Sequence, residues 1–374
     1  MKIIIFVDSL TSGGAERVSV FLSEYLIAQG HSVAIVTVHS EHRDFYHLSG
    51  RVKRYSLNLT KTNRGIGKFF YNIKRVRSLR KIINLEKADV VIGMMTMCSV
   101  LSIVSCFGLS THSITAERNY PGRKPAIKPW GLLRRVFYLF ADAHIVQSIK
   151  TAAWLKKNTG AHNTFIIPNA VSWPLANFSP IISPQSLVDV NTKLILAIGT
   201  KPYQKGFDLL LEAFALVTDR PCDWKLAIIG LDITYTDNDD VNALLALASR
   251  LGISQNIIWP GRIGNVGDWY ERADMFVLSS RYEGFPNVLL EAMAAGCPSV
   301  AFDCDTGPRD IIRHGENGLL VENERSDKLA GAMLSIIENK SLRERLSTSA
   351  VDVRVDFAED KIFSEWERVI NEVL

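Results

Sequence analysis

The chain has 374 residues, 47% hydrophobic and 22% charged, which excludes a disordered or low-complexity protein and exceeds what one hydrophobic core comfortably serves. Two domains are therefore expected. The net charge of +4 is unevenly spread: residues 1–185 carry 24 Lys and Arg against 9 Asp and Glu, a net +15, and residues 186–374 carry 19 against 30, a net −11. A basic first half points to an anionic partner for that half.

The opening "MKIIIFVDSL" has too short an apolar run for a signal peptide and reads as a retained first strand. The loop "DSLTSGGAER" follows, and "RVSVFLSEYLIAQG" repeats apolar positions at helical spacing before stopping on Gly30. "HSVAIVTVH", "ADVVIGMM", "THSITAE" and "DAHIVQS" read as further strands with helical stretches between them. The most apolar stretch, "VVIGMMTMCSVLSIVSCFGL", carries Gly, Ser and Thr throughout, so it reads as a strand plus a buried helix rather than a span of about 20 apolar residues.

The weakly periodic "PNAVSWPLANFSPIISPQSL" reads as a linker, which places one domain at 1–180 and a second at 190–355. The second set opens with "TKLILAIGT" and continues through "DWKLAIIG", "NIIWPGR", "ADMFVLSS", "PSVAFD" and "NGLLV", again alternating with helices. Alternation of this kind implies parallel sheets covered on both faces, hence two similar α/β domains with a cleft between them. The end, 356–374, is an amphipathic helix with Trp366, Val369, Ile370, Val373 and Leu374 on one stripe, expected to pack back toward the N-terminal domain.

Five cysteines without a CxxC pair (Cys98, Cys106, Cys222, Cys297 and Cys304) point to a reducing compartment. There is no HExxH and no Gly-x-Ser-x-Gly elbow, so hydrolase chemistry has no support. The Asp-x-Asp pairs in "DNDD" (237–240) and "DCD" (303–305) could ligate Mg²⁺, but the first reads as a helix cap and the second lacks a further carboxylate, so no metal is expected.

Ligands in open α/β sheets bind where loops leave the carboxyl ends of strands, and three loops stand out. In "TSGGAER", Gly13 and Gly14 would let backbone amides approach an anion at a helix N-terminus, and a plain tight turn fits the same spacing. The stretch is neither a GxGxxG fingerprint nor a P-loop. In "GTKPYQKGFDLLLEAF", Lys201 and Lys205 follow a strand and could neutralise a diphosphate, or simply belong to a basic loop. In "RYEGFPNVLLEAMAAGCP", Pro286 opens and Gly296 closes a helix whose first amides, Asn287, Val288 and Leu289, present a positive terminus. Glu291 then lies early in that helix, placed to accept from ribose hydroxyls, and Glu283 lies at the mouth of the strand.

With "GGAER", "IPNAV", "LAIIG", "IIWPGR" and "GPRDIIRHGENGLLV" added to these, the chain resembles the family 4 retaining glycosyltransferases of bacterial surface-polysaccharide and O-antigen type, over nearly its whole length. The Glu, seven residues, Glu pattern enclosing Gly-Phe-Pro is its most specific element. The resemblance implies the GT-B fold, two Rossmann-like domains facing a central cleft, and transfer of a hexose or N-acetylhexosamine from a UDP-sugar. It implies that Glu283 touches the sugar hydroxyls, that Gly284, Phe285 and Pro286 border the sugar, and that Glu291 holds the ribose. Lys205 and the amides of Asn287, Val288 and Leu289 would bind the diphosphate, Gly13 and Gly14 would approach it from the other domain, and Arg262 would line the nucleobase pocket. Two positions depart from the family: Lys201 stands where Arg is common, and Glu117 and Arg118 of "TAERNY" stand where relatives often carry His, as candidates to orient donor or acceptor. The implied mechanism is metal-free and retaining, without a cofactor.

Residues 61–81, "KTNRGIGKFFYNIKRVRSLRK", and 123–140, "RKPAIKPWGLLRRVFYLF", mix cations with aromatics in the manner of membrane-surface segments. No nucleic-acid motif accompanies them. The expected acceptor is a glycan or an undecaprenyl-diphosphate-linked sugar, with the protein cytoplasmic and peripheral on the inner face of the membrane. The alternatives are a soluble transferase like glycogen or sucrose synthase, and a non-catalytic nucleotide-sugar-binding protein.

Overall fold

The β-branched runs pair in parallel and the amphipathic stretches between them form the covering helices. A computed structural model describes every residue except Ser12, His47, 61–65, 219–222 and 232–238, so Cys222 and the start of both the first basic segment and "DNDD" lie outside the described residues. The chain divides into two units, Met1–Ala170 with Glu359–Leu374, and Val171–Ala358.

In the first unit the strands are β1 (Lys2–Val7), β2 (Ser32–Thr37), β3 (Lys53–Ser56), β4 (Val90–Met94), β5 (His112–Glu117), β6 (Ala143–Val146) and β7 (Thr164–Ile166). They form one parallel sheet in the order β3-β2-β1-β4-β5-β6-β7. Its helices are α1 (Gly14–Ala28), α2 (Ile66–Glu86), α3 (Met95–Cys106), α4 (Trp130–Phe137) and α5 (Ile149–Thr159).

The second unit contains β8 (Lys193–Ile198), β9 (Trp224–Ile229), β10 (Ile257–Gly261), β11 (Met275–Leu278), β12 (Ser299–Asp303) and β13 (Leu319–Glu322), parallel in the order β10-β9-β8-β11-β12-β13. Its helices are α6 (Pro202–Lys205), α7 (Phe207–Thr218), α8 (Asp239–Arg250), α9 (Val266–Arg272), α10 (Asn287–Ala294), α11 (Pro308–Ile311), α12 (Ser326–Glu338), α13 (Lys340–Ala350) and α14 (Val353–Asp356). Both faces of this sheet are buried: in β8, Ile195 and Ala197 join one apolar cluster while Leu194 and Leu196 join the other. A strand buried on both sides must be apolar at every position, which is why its sequence is a continuous run.

The boundary between the domains differs from the sequence expectation. The division falls at 170/171 rather than 180/190, because the Pro- and Ser-containing segment packs on the second unit instead of linking. Val171 bridges to Ala358, the Ile182 amide donates to Asn265 at 2.9 Å, and Trp269 Nε1 donates to the Ile182 carbonyl at 2.9 Å. The final helix, α15 (Glu359–Val373), belongs to the first unit: Tyr25 and Phe363 rings meet at 5.7 Å and His31 lies 2.8 Å from Glu367. Trp366, Val369 and Ile370 are fully buried, whereas Leu374 is exposed.

Candidate active site

From β8 the chain adds β9 and β10 on one side and then returns to place β11 on the other. Where strand order reverses, the loops leaving the two carboxyl ends part and open a crevice. At the β8/β11 reversal those loops are 199–206 and 279–286, which carry Lys205 and Glu283.

Lys205 Nζ lies 2.7 Å from Glu283 Oε1, and Ser280 Oγ donates to the same oxygen at 2.7 Å. Both charged side chains are largely buried, at 14% and 9% exposed, so their pairing is weakly screened. Thr306 Oγ1 holds the Glu283 carbonyl at 2.6 Å. Beside it Gly307 has φ +98°, and a Cβ there would lie 2.6 Å from Pro286 Cδ, so only glycine lets this turn sit against the Gly-Phe-Pro corner.

A second set of bonds fastens the two loops together. Arg281 grips Asp208 through two nitrogens at 2.8 and 2.6 Å, donates to the Tyr203 carbonyl at 2.9 Å and stacks on the Tyr203 ring at 4.4 Å. The Arg281 amide donates to the Gln204 carbonyl at 2.9 Å, and Ser279 Oγ to the Lys205 carbonyl at 2.8 Å. Gly206, at φ +60°, allows this approach, since a Cβ there would fall 2.1 Å from the Ser279 oxygen. Burial raises the Asp208 pKa, but the Arg281 bonds outweigh it and hold the carboxyl below its usual range.

The helix after the corner starts at Asn287 with Pro286 as its N-cap. Leu289 differs from expectation: its amide donates to the Pro286 carbonyl at 3.1 Å and is spent within the first turn of the helix. Glu291 is buried one turn on, where Tyr270 Oη donates to its Oε2 at 3.0 Å. Phe285 also differs, because its ring turns into the core against Phe357 at 5.7 Å. Arg262 is exposed after β10, two strands from β8 and so about 10 Å from the Lys205 loop. Lys201 is exposed at the N-cap of α6.

In the first unit the corresponding reversal lies between β1 and β4. Gly13 caps α1 there, and Gly14 is its first residue. The space beside Gly13 is taken by Glu16, whose Oε2 would lie 2.2 Å from a Cβ at that position. A carboxylate thus occupies the positive end of α1.

Glu117, read from sequence as a candidate catalytic group, is internal at 2% exposed. Its Oε1 accepts from Thr96 Oγ1 at 2.8 Å, Tyr138 Oη at 2.6 Å and Arg134 Nη1 at 3.2 Å. That arrangement makes it one half of a buried ion pair rather than a group facing substrate. Arg118 is also buried; its Nη2 donates to Asn169, its guanidinium lies 5.6 Å from the Trp366 ring, and burial lowers its pKa to about 9.

Asp303 of "DCD" is taken up by Arg309, with Nε to Oδ1 at 2.8 Å. No group of three His, Cys, Asp or Glu among the described residues is placed to hold a metal ion. Along α2, Lys74, Arg77 and Lys81 are exposed, while Arg75 is buried and donates to the Leu59 carbonyl at 2.8 Å. No helix among the described residues is long and apolar enough to cross a membrane.

Sequence reasoning missed Ser280, Tyr270, Thr306 and the Arg281–Asp208 clasp. Ser280 and Arg281 stood within the "SSRYEG" stretch, just before Glu283; Asp208, Tyr270 and Thr306 sit on other loops or helices and carried no local signal.

Residues 12–172 match the family described as Glycosyltransferase Family 4, and residues 179–352 that described as Glycosyl transferases group 1. A Campylobacter jejuni relative is 30% identical over 375 residues, 100% of this chain and 99% of its own. It is the GalNAc-alpha-(1->4)-GalNAc-alpha-(1->3)-diNAcBac-PP-undecaprenol alpha-1,4-N-acetyl-D-galactosaminyltransferase. Among solved structures, sucrose-phosphate synthase from Thermosynechococcus elongatus superposes with a TM-score of 0.83 at 19% identity, covering 100% of this chain and 99% of that one. Anabaena HepE, in complex with UDP and glucose, gives 0.79 at 17% identity with 100% of both chains covered. These likenesses establish the fold as GT-B. Full-length kinship, two family matches that together span 12–172 and 179–352, and the doubled Rossmann-like architecture lead to one assignment: the chain belongs to glycosyltransferase family 4.

Proposed function

We propose that the protein transfers a hexose or N-acetylhexosamine from a UDP-sugar to a lipid-diphosphate-linked glycan, with retention of configuration, during assembly of a bacterial polysaccharide. The observation that carries this is the Lys205–Glu283 pair at the β8/β11 reversal, beside the N-terminus of α10. A diphosphate entering there draws Lys205 from Glu283, and the released carboxylate accepts hydrogen bonds from sugar hydroxyls. Glu291, steadied by Tyr270, accepts from the ribose.

As the bond from the anomeric carbon to the phosphate oxygen breaks, its electron pair stays on the phosphate. Lys205, drawn onto the phosphate, and the positive N-terminal end of α10 stabilise that growing charge. The acceptor hydroxyl forms its bond on the same face of the sugar, and its proton passes to the departing phosphate oxygen. On this reading the charge compensation comes from lysine and the helix dipole, and no metal takes part. The Campylobacter relative's named substrate, an undecaprenyl-diphosphate glycan, supports the acceptor class, and the UDP and glucose in HepE support the donor class. The net +15 of the first half supports work at an anionic membrane surface as a peripheral protein.

A panel of UDP- and GDP-sugars tested for protection against thermal unfolding, then for turnover with a short-chain polyprenyl-diphosphate glycan, checks the reading. A UDP-sugar at a hundredfold excess over Kd adds about 2.7 kcal/mol of stability. Protection by no UDP-sugar overturns the donor assignment. Protection without turnover, unchanged in Glu283→Gln, turns the protein into a binding module.

A further inference from the structure

We propose that one exposed stripe of the first unit, running along α4 and the turn after it, is the surface by which the protein lies on an anionic bilayer; this rests on the lipid-linked acceptor reading above. Helix α4 continues directly into a 3-10 turn at Tyr138–Phe140, so residues 130–140 form one short rod. Its inner side is fixed by Arg134 and Tyr138, both buried against Glu117. Its outer side presents Leu132, Val136, Leu139 and Phe140, all exposed and recurring about one helical turn apart.

The stripe extends beyond the rod at both ends. Phe107, exposed after α3, packs its ring 6.1 Å from Phe137 and 5.4 Å from Phe140. Ile127, in the loop that leaves the carboxyl end of β5, is 83% exposed. Large apolar side chains standing in water along one continuous line are costly unless something covers them.

The charge pattern selects the occupant. From Arg118 to Ala141 the sequence contains no Asp or Glu, and Arg123, Lys124, Lys128 and Arg135 are exposed. Arg135 falls inside the apolar stripe, between Leu132 and Val136. The centre of a protein interface is depleted in charge, whereas an interfacial helix mixes apolar prongs with long cations whose stems lie along the acyl boundary and whose heads reach the phosphates. The acids that border the lower end are occupied: Asp142 lies 3.0 Å from His112, and Glu372 lies 3.5 Å from Arg368. The exposed Arg123, Lys124, Lys128 and Arg135 outnumber these two acids, so the stripe attracts an anionic leaflet on balance.

Docking on this stripe would place the Ile127 end, at the carboxyl edge of the first sheet, in the plane where a lipid-linked acceptor travels. Search for the acceptor then becomes two-dimensional.

The full-length protein is floated with vesicles of phosphatidylcholine alone and of phosphatidylcholine with phosphatidylglycerol. Recovery with the anionic vesicles is expected to exceed that with the neutral ones at least tenfold and to fall with added salt. The pair Leu139→Glu and Phe140→Glu removes the prongs, and the pair Lys128→Glu and Arg135→Glu reverses the charge without touching an apolar residue; each is expected to cut recovery at least tenfold. All four positions are exposed, and an unchanged thermal midpoint verifies the fold. Recovery unchanged in either double variant overturns the proposal. So does a wild-type dimer in sedimentation that Phe140→Glu dissolves, which would assign the stripe to a second copy. Turnover of a water-soluble acceptor in the absence of vesicles is expected to be equal in wild type and both double variants. Its loss in wild type refutes the transferase reading while leaving flotation to decide the docking surface.

Discussion

Two glutamates stand at the carboxyl ends of parallel strands and differ in what surrounds them. Glu117 is the last residue of β5 and shares a face with Ser113 and Thr115, so its side chain enters the layer under α3 and α4. There it meets Thr96, Tyr138 and an arginine stacked 4.6 Å from the Trp154 ring. Glu283 lies beyond β11 in a loop at the strand reversal and meets a flexible lysine and one serine hydroxyl. A planar arginine under an aromatic lid makes a permanent pair, whereas lysine on a four-carbon stem can exchange its carboxylate for a phosphate. Position relative to the reversal and the cation that meets it, rather than the carboxylate itself, set the two apart.

The comparison breaks most sharply at Glu117. Glu117→Ala leaves Arg134 buried and unpaired, so a loss of about 3–5 kcal/mol in chemical unfolding is expected, with turnover per folded molecule retained. A variant of normal stability and no turnover would place Glu117 at the chemistry instead. At Glu283 the reverse holds: Glu283→Gln is expected to lower kcat about 100- to 1000-fold while shifting the unfolding midpoint little. Equal kcat in the two proteins would remove Glu283 from the mechanism.

The polar layer around Glu117 also carries a pH signature. His144 is fully buried, bonded to Thr115 at 2.7 Å and stacked on Tyr138, and burial lowers its pKa from 6.5 to about 4. Because the folded value lies below the unfolded one, the unfolded chain takes up the proton first as pH falls. Its contribution is complete above pH 6.5 and drains away as pH drops toward 4, by on the order of 3 kcal/mol. Denaturant midpoints at pH 7 and 4.5 should therefore differ less in His144→Gln than in wild type.

Smaller effects test the loops of the second unit. Arg281→Ala is expected to cost about 1–3 kcal/mol and raise KM for the donor, with Arg281→Lys recovering only part because it lacks the fork that grips Asp208. Lys201→Ala, at an exposed position, should weaken donor binding by less than about fivefold in titration calorimetry. A larger loss than that of Lys205→Ala would reverse the roles given to the two lysines.

All six strands of the second unit were readable as apolar runs, most plainly the inner four, where burial on both faces leaves no alternation to obscure them. In the first unit β3 and β7 were not, since these edge strands are only 4 and 3 residues long and no position in them is fully buried. The 168–187 segment looked like a linker because its Pro and Ser residues lack periodicity; its anchoring through Val171 and Ile182 depends on Ala358 and Asn265, partners far along the chain. The Gly-Phe-Pro corner was legible, yet the inward turn of Phe285 was not, since the ring of Phe357 that receives it lies 72 residues away.

By itself the sequence determined the alternation of most strands and helices, the loops at strand ends and the family, because these follow from local periodicity and short-range motifs. Only the tertiary structure decided which charged groups meet. Lys205 and Glu283 are 78 residues apart and touch because β8 and β11 become neighbours. Glu117 became a fastening because α4 delivers Arg134 and Tyr138 onto it. Alternation along a strand says which face a side chain takes, and what covers that face is settled only when the helices pack.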